Sequence, residues 1–383
     1  MKSQRRAKKS EIEYIDVPHY ENPEYPYQFF IGGRGTGKTY SALRFLLAMS
    51  LDLENEHEAE VYERIVEECG YRIPNDEAYM WIRRTDKEFK MLVSNNRLGD
   101  GGNPFAELNE KYGVNFGVHA INPNLAGIYR RERKVDGKDE PYGEPVGYAC
   151  AMSSIAGIRG MSFHMVKRAV YDEFIPERHV KRMRAEGEAV LNAIETVGRN
   201  RELEGEAPLY VYFLSNSNDI YNPLMVDLGL VNHVERMVNR GKKDIYMHDR
   251  RCGIHLLDPA ESFKTAKMKS SLYQFAKGTR FAEMSIDNKF VYNDFSGTGY
   301  RNVKGLKPLC RCEEITLFVE KSGQYMYASY CNAKVSKYKT DNKVDRMAWQ
   351  RTYRKMCREF MEKGQFYYET YDVKERVLEI MEF

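Results

Sequence analysis

Gly32-Gly-Arg-Gly-Thr-Gly37-Lys38-Thr39 is the stretch on which the fold turns. It matches G-x-x-x-x-G-K-[ST]. Its glycines lack the Cβ atoms that would keep backbone N–H groups from converging on phosphate oxygens. Tyr27 to Ile31 (YQFFI) before it is an aromatic and apolar run of strand length, and Tyr40, Leu43, Leu46 and Leu47 after it recur at helical spacing. Strand, glycine loop and helix in that order predict a phosphate-binding P-loop, with the helix turning its positive N-terminal end to the anion. In that reading Gly32, Gly33, Arg34, Gly35, Thr36, Gly37, Lys38 and Thr39 together hold a nucleoside triphosphate. Lys38 reaches the β- and γ-phosphates, and the Thr39 hydroxyl binds Mg2+. A chance Gly-rich turn is the plain alternative; random matches arise in roughly one chain of this size in a hundred.

The second half of such a site is expected where another apolar strand ends in acid. Arg168-Ala-Val-Tyr-Asp172-Glu173 has that form. Ligands of α/β sheets bind at the C-terminal ends of strands. Asp172 is the expected Mg2+ partner, and Glu173 the residue that orients and deprotonates the attacking water. Leu209 to Leu214 (LYVYFL) is a further strand, running into Ser215-Asn216-Ser217-Asn218. Asn216 is placed there to hydrogen-bond the water or the γ-phosphate. Turn-forming polar residues are the bland reading of that run.

Hydrolysis in this class is often completed by a guanidinium from a neighbouring subunit, which raises the rate ~10³- to 10⁵-fold. Gly198-Arg199-Asn200-Arg201-Glu202 supplies candidates after a helical stretch. Arg199 is preferred over Arg201. Arg83 and Arg84, at the end of the Ala78 to Arg83 strand, compete for the role or act in cis. Asn342-Lys343-Val344-Asp345 fits the guanine-reading pattern N-K-x-D, but it follows a charged stretch rather than a buried strand and is read as chance.

Alternating strands and helices from Tyr27 to Leu214 argue for a parallel α/β sheet. Helices are expected near Glu58 to Glu68, Thr85 to Ser94 and Glu188 to Val197. Further strands are expected at Val114 to Ile121, Gly127 to Arg131 and Val146 to Met152. Residues 1–26 read as a basic, flexible arm, 27–260 as the ATPase domain, 261–300 as a linker with a basic helix, and 301–383 as a small α+β domain. In that last part Ile315 to Val319 and Gln324 to Ser329 form a hairpin around Ser322-Gly323.

The 383 residues are 42% hydrophobic and 30% charged, with a formal net charge of +3. That composition is globular, and its charge neither requires nor excludes nucleic acid. Basic residues weighed for phosphate contacts are Arg5, Arg6, Lys8 and Lys9 in the arm, Lys87 and Lys90, and Lys264, Lys267 and Lys269. The seven cysteines form no C-x-x-C pair and suggest reduced thiols. No apolar run nears the ~18 residues of a membrane span.

The same segments, with Trp81-Ile-Arg-Arg84, Val197-Gly-Arg-Asn-Arg-Glu202, Leu214-Ser-Asn216 and Glu283-Met-Ser-Ile-Asp-Asn288, occur in an order that resembles the DNA-packaging ATPase of phi-29-type tailed phages. The resemblance implies a terminase-like ASCE (RecA-like) P-loop motor using ATP and Mg2+. It implies a homomeric ring, typically a pentamer, at the portal vertex of a procapsid in the host cytoplasm, translocating double-stranded DNA. It makes Arg199 the arginine finger in trans. It implies a C-terminal domain like an RNase H-type nuclease without its active site, docking on the portal and in some members on a packaging RNA. In agreement, the strands around Glu320 carry no aspartate cluster able to hold two metals. A ring helicase or conjugation-type pump is the rival enzyme, and a nucleotide-gated binding module the rival of another class.

Overall fold

The computed structural model describes residues 14–75, 77–93, 102–135, 137–176, 183, 185–217, 219–287, 290 and 293–382. They gather into two compact units, Met1–Asp227 with Lys242–Val291 and Leu228–Gly241 with Tyr292–Phe383.

The first unit is built on β1 (Tyr27–Gly32), β2 (Ala78–Arg83), β3 (Phe116–Asn122), β4 (Leu125–Arg133), β5 (Asp139–Ala151), β6 (Val166–Asp172), β7 (Tyr210–Asn216), β8 (Asp244–Met247) and β9 (Cys252–Leu257). Their order in one sheet is β3-β4-β5-β2-β6-β7-β1-β9-β8. From β5 to β9 every pairing is parallel. β7 lies between the glycine-loop strand β1 and the acid-bearing β6, which is the ASCE arrangement. The central strands are buried on both faces, so their sequences read as continuous apolar runs. Phe29 of β1 stacks on Phe213 of β7 with ring centroids 4.2 Å apart.

The expected all-parallel sheet needs correction at both margins. β3, β4 and β5 pair antiparallel, as do β8 and β9. The insertion from Phe116 to Ala151 is therefore an antiparallel extension of the sheet. β8 and β9 were not anticipated, because His255 interrupts a short run (CGIHLL) that is nevertheless buried throughout.

Two boundaries differ from expectation. The described part of the arm is folded: Val17 is fully buried, Pro18–Tyr20 forms a 3-10 turn, and Ile15 N–H donates to Thr36 O at 3.0 Å. The expected linker contributes helices Glu261–Met268, Ser271–Phe275 and Arg280–Asp287 to the first unit. Tyr273, Ala276 and Ala282 form a small cluster of their own among them.

The second unit holds β10 (Lys307–Cys312), β11 (Ile315–Val319), β12 (Met326–Ser329), β13 (Lys337–Tyr338) and β14 (Phe366–Tyr368), in the order β13-β10-β11-β12-β14. The β11–β12 hairpin is where the sequence indicates, with Gly323 at φ +75° in its turn. β10 escaped notice because its inward residues are Cys310 and Cys312, which act as small apolar side chains. Trp349, Cys357, Val373 and Val377 from the closing helices cover the sheet. Helix Val231–Asn239 also belongs here: its Glu235 carboxylate accepts from Tyr371 N–H at 2.9 Å.

Candidate nucleotide site

Four parallel strands end in one row. Register pairs Gly32 with Asn216, Asp172 with Leu214, and Ile82 with Tyr171. Arg83, Asp172, Asn216 and the glycine loop thereby share the C-terminal edge of the sheet. A cavity of about 1050 Å3 opens there, lined by Thr36 to Ser41, Asp172, Glu173, Ser215 and Asn216 among others. Gly37 takes φ +95° as it enters helix Lys38–Met49, a conformation that side-chain-bearing residues rarely adopt.

Lys38 Nζ donates to Gly33 O at 2.8 Å, Gly32 O at 3.1 Å and Thr36 Oγ1 at 3.3 Å, and it reaches Asn216 Oδ1 at 3.5 Å. Burial pushes its ammonium down to about 7, against the upward pull of Asp172. Thr39 Oγ1 donates to Asp172 Oδ1 at 3.3 Å. Burial also pushes the Asp172 carboxyl up to about 6, opposed chiefly by Arg83. A hydroxyl and a buried carboxylate beside a phosphate loop are hard oxygen donors, the set that suits Mg2+. Lys38, Thr39, Asp172 and Asn216 thus lie together on one cavity.

Glu173 is half exposed beside them, and its backbone sits at φ +59°. Its neighbour N–H groups are tied down: Phe174 N–H donates to Leu214 O and Ile175 N–H to Ser215 Oγ. Ser215 therefore supports the turn, while Asn216 faces Lys38. Asn218 lies outside the described residues.

The arginines sort differently from one another. Arg83 donates to Asp172 Oδ2 and to Glu173 Oε2, both at 2.8 Å, so it acts on the acid pair of its own chain. Arg84 is buried against Glu186. Arg201 caps its own helix, donating to Gly198 O and Val197 O, and is buried. Arg84 and Arg201 are thus both engaged within their own chain. Arg199 ends helix Glu186–Gly198 at φ +47° and donates to Met161 O. Met161 precedes the start of β6, and the helix has run back from the end of β6 to the start of β7. Arg199 therefore lies toward the edge where β6 and β7 begin, away from the edge that carries Lys38.

Lys267 is placed against the loop rather than outward. It donates to Arg34 O and to Ser285 O, with its ammonium over the Phe263 and Tyr273 rings. Nothing in the spacing of Lys264, Lys267 and Lys269 signals this placement. Arg5, Arg6, Lys8, Lys9 and Asn288 lie outside the described residues. Asn342 caps helix Lys343–Trp349 by accepting from Val344 and Asp345 N–H, which accounts for the N-K-x-D match.

A family model for the podovirus DNA encapsidation protein (Gp16) matches residues 132–348. The chain belongs to that family. The match spans Asp172, Glu173, Arg199 and Asn216, and the glycine loop precedes it. Among relatives of this encapsidation-family chain is the DNA packaging protein of Bacillus phage B103. It is 27% identical over 265 residues, covering 69% of this chain and 64% of that protein. The DNA packaging protein of Bacillus phage phi29 is 29% identical over 150 residues, 39% of this chain and 41% of that protein. The likeness thus spans just under two thirds of the first relative. In solved structures, a chain of the bacteriophage Phi-29 viral genome packaging motor assembly aligns over 94% of this chain and 98% of its own, with TM-score 0.56 and 20% identity. A chain of the Phi-28 gp11 DNA packaging motor aligns over 91% of each, with TM-score 0.50 and 16% identity. At those identities the structures establish a shared fold.

Proposed function

We propose that this chain is the ATPase subunit of a motor that drives double-stranded DNA into a phage procapsid. The observation that carries the reading is the row of Lys38, Asp172, Glu173 and Asn216 on one cavity in a chain of the encapsidation family. In this reading the P-loop N–H groups and Lys38 grip the triphosphate, with Lys38 exchanging carbonyl partners for phosphate oxygens. Thr39 and Asp172 would hold Mg2+, which supplies neutralising charge at the phosphates. Glu173 accepts the proton of the attacking water, and Arg83 must give up its carboxylate contacts to free it. No helix among the described residues is long and apolar enough to cross a membrane.

Arg199 completes a neighbour's site, a reading supported by its place toward the edge where β6 and β7 begin, away from Lys38. A homomeric ring, a pentamer by family resemblance, docked on the portal is the assembly in which it would do so. The second unit is the nuclease-like domain without nuclease activity. Its Glu320 carboxylate is engaged by Ser322 N–H in the β11–β12 turn. A packaging RNA is a further partner that the family resemblance implies for some members.

The deciding experiment mixes two defective subunits. Glu173→Gln and Arg199→Ala each bind ATP and each hydrolyse it poorly in the assembled, DNA-engaged state. Mixing them restores part of the activity, because an intact Glu173 then meets an intact Arg199 across some subunit boundaries. Normal hydrolysis by assembled Arg199→Ala sinks the trans role. Efficient unwinding of forked DNA without packaging would favour a helicase.

A further inference from the structure

The cavity at the glycine loop is larger than a phosphate chain needs. At about 1050 Å3 it has room for a whole nucleotide, and its wall continues past the loop to Tyr14, Asp16, Tyr40 and Arg44. We propose that the base of the bound nucleoside triphosphate stacks between Tyr14 and Tyr40. The inference rests on the nucleotide reading of the site and assigns its base-binding residues.

Tyr14 is held in place by its own chain. Ile15 N–H donates to Thr36 O at 3.0 Å, and Val17 N–H to Ser41 Oγ at 3.2 Å. The segment therefore lies along the loop and the first turn of its helix. A Cβ added to Gly37 would lie 2.8 Å from Tyr14 Cβ, so the loop's last glycine also makes room for this side chain. Yet Tyr14 is 52% exposed. An aromatic ring anchored by its backbone and left half in water has apolar face to offer.

Tyr40 follows Thr39 and projects from the same helix turn. The two ring centroids are 6.4 Å apart with planes at 38°. A base between two parallel rings needs ~7 Å, twice the usual carbon contact distance. The rings as they stand are about 0.6 Å short of that and tilted, so the base enters by a shift and rotation of the exposed Tyr14 ring. Beyond the rings Arg44 and Asp16 lie 3.7 Å apart on the same cavity, a donor beside an acceptor for the base edge.

The test compares MgATP with magnesium tripolyphosphate, which has the phosphates and no base, by isothermal titration. Tyr14→Ala and Tyr40→Ala each weaken ATP binding about tenfold, the order expected for loss of one aromatic–base stack. Tripolyphosphate binding is unchanged in both, which also shows the loop still folded. Tyr14→Phe and Tyr40→Phe keep full ATP affinity, because stacking does not use the hydroxyl. Equal losses for both ligands, or no loss for either, overturn the clamp while leaving the phosphate site intact. A wild-type chain that binds neither ligand overturns the nucleotide reading itself.

Discussion

Arg84 and Glu186 meet as a buried bidentate pair. Nε lies 3.0 Å from Oε1 and Nη2 2.9 Å from Oε2, with the side chains 2% and 0% exposed. The Tyr171 hydroxyl donates to the same carboxylate. The pair ties the end of β2 to the start of the helix that carries Arg199. Removing one charge leaves the other buried alone, which costs about 3–5 kcal/mol, whereas an apolar replacement of both is often near neutral. Arg84→Met is expected to lose that much in urea unfolding. Arg84→Met with Glu186→Leu recovers most of it. Additive losses would mean the two do not act as a pair.

Arg83 neutralises the acid pair, of which Asp172 would hold Mg2+. An opposite charge at 2.8 Å stabilises the ionised carboxylate and competes with a cation for it. Arg83→Met should lower the free Mg2+ giving half-maximal ATP binding by about tenfold, an effect of the size such neighbours have on carboxylates. Asp172→Asn should abolish the Mg2+ dependence. Titrating ATP binding against Mg2+ for both variants decides it, and an unchanged requirement in Arg83→Met counts against the competition.

Arg199 is held in a backbone conformation that side chains resist, φ +47° and ψ −141°. Such positions store roughly 1–3 kcal/mol. Replacing Arg199 by Gly relieves the strain, and replacing it by Ala does not. The Gly variant should melt above the Ala variant by about 1 kcal/mol of stability, and both should fail in hydrolysis. Equal melting would show the strain to be absent in solution.

His255 gives the first unit a pH signature. It is fully buried, with Nδ1 2.6 Å from Asp244 Oδ1 and Nε2 2.7 Å from Gln28 Oε1. Burial holds the imidazole below its usual 6.5, with Asp244 opposing. A base whose folded value is depressed contributes stability that is present above 6.5 and lost as pH falls through the folded value. His255→Gln should therefore cost most above about pH 7, with the gap to wild type narrowing below 6.5. Denaturant melts across that window check it; a gap that widens on acidification refutes it.

Legibility in the sequence followed the physics of each part. The loop, β1, β2 and the acid strand could be read because a parallel strand buried on both faces leaves a plain apolar run, and phosphate binding demands fixed glycines. β2 begins and ends where its apolar run does, at Ala78 and Arg83. The antiparallel margins were harder: β5 is exposed from Glu140 to Glu144 and carries no apolar signal there. β8 and β9 hide a buried histidine. The arginines were legible as types and not as roles, because which guanidinium faces which carboxylate depends on strand register that spacing does not encode. Tyr14 was passed over because the arm's polar composition gave no sign that residues 14–17 dock on the loop.

The separation of Lys38 from Arg199 across the sheet has a consequence for assembly. In the proposed motor each contact between copies is head-to-tail: one face gives the arginine and a different face receives it. A twofold dimer, which presents the same face from both sides, satisfies neither donor nor acceptor by that contact. An open row of copies always leaves one nucleotide site at its end without a completing arginine, and only closure supplies it. Hydrolysis per subunit should therefore climb as a row lengthens and reach its ceiling when the last copy meets the first.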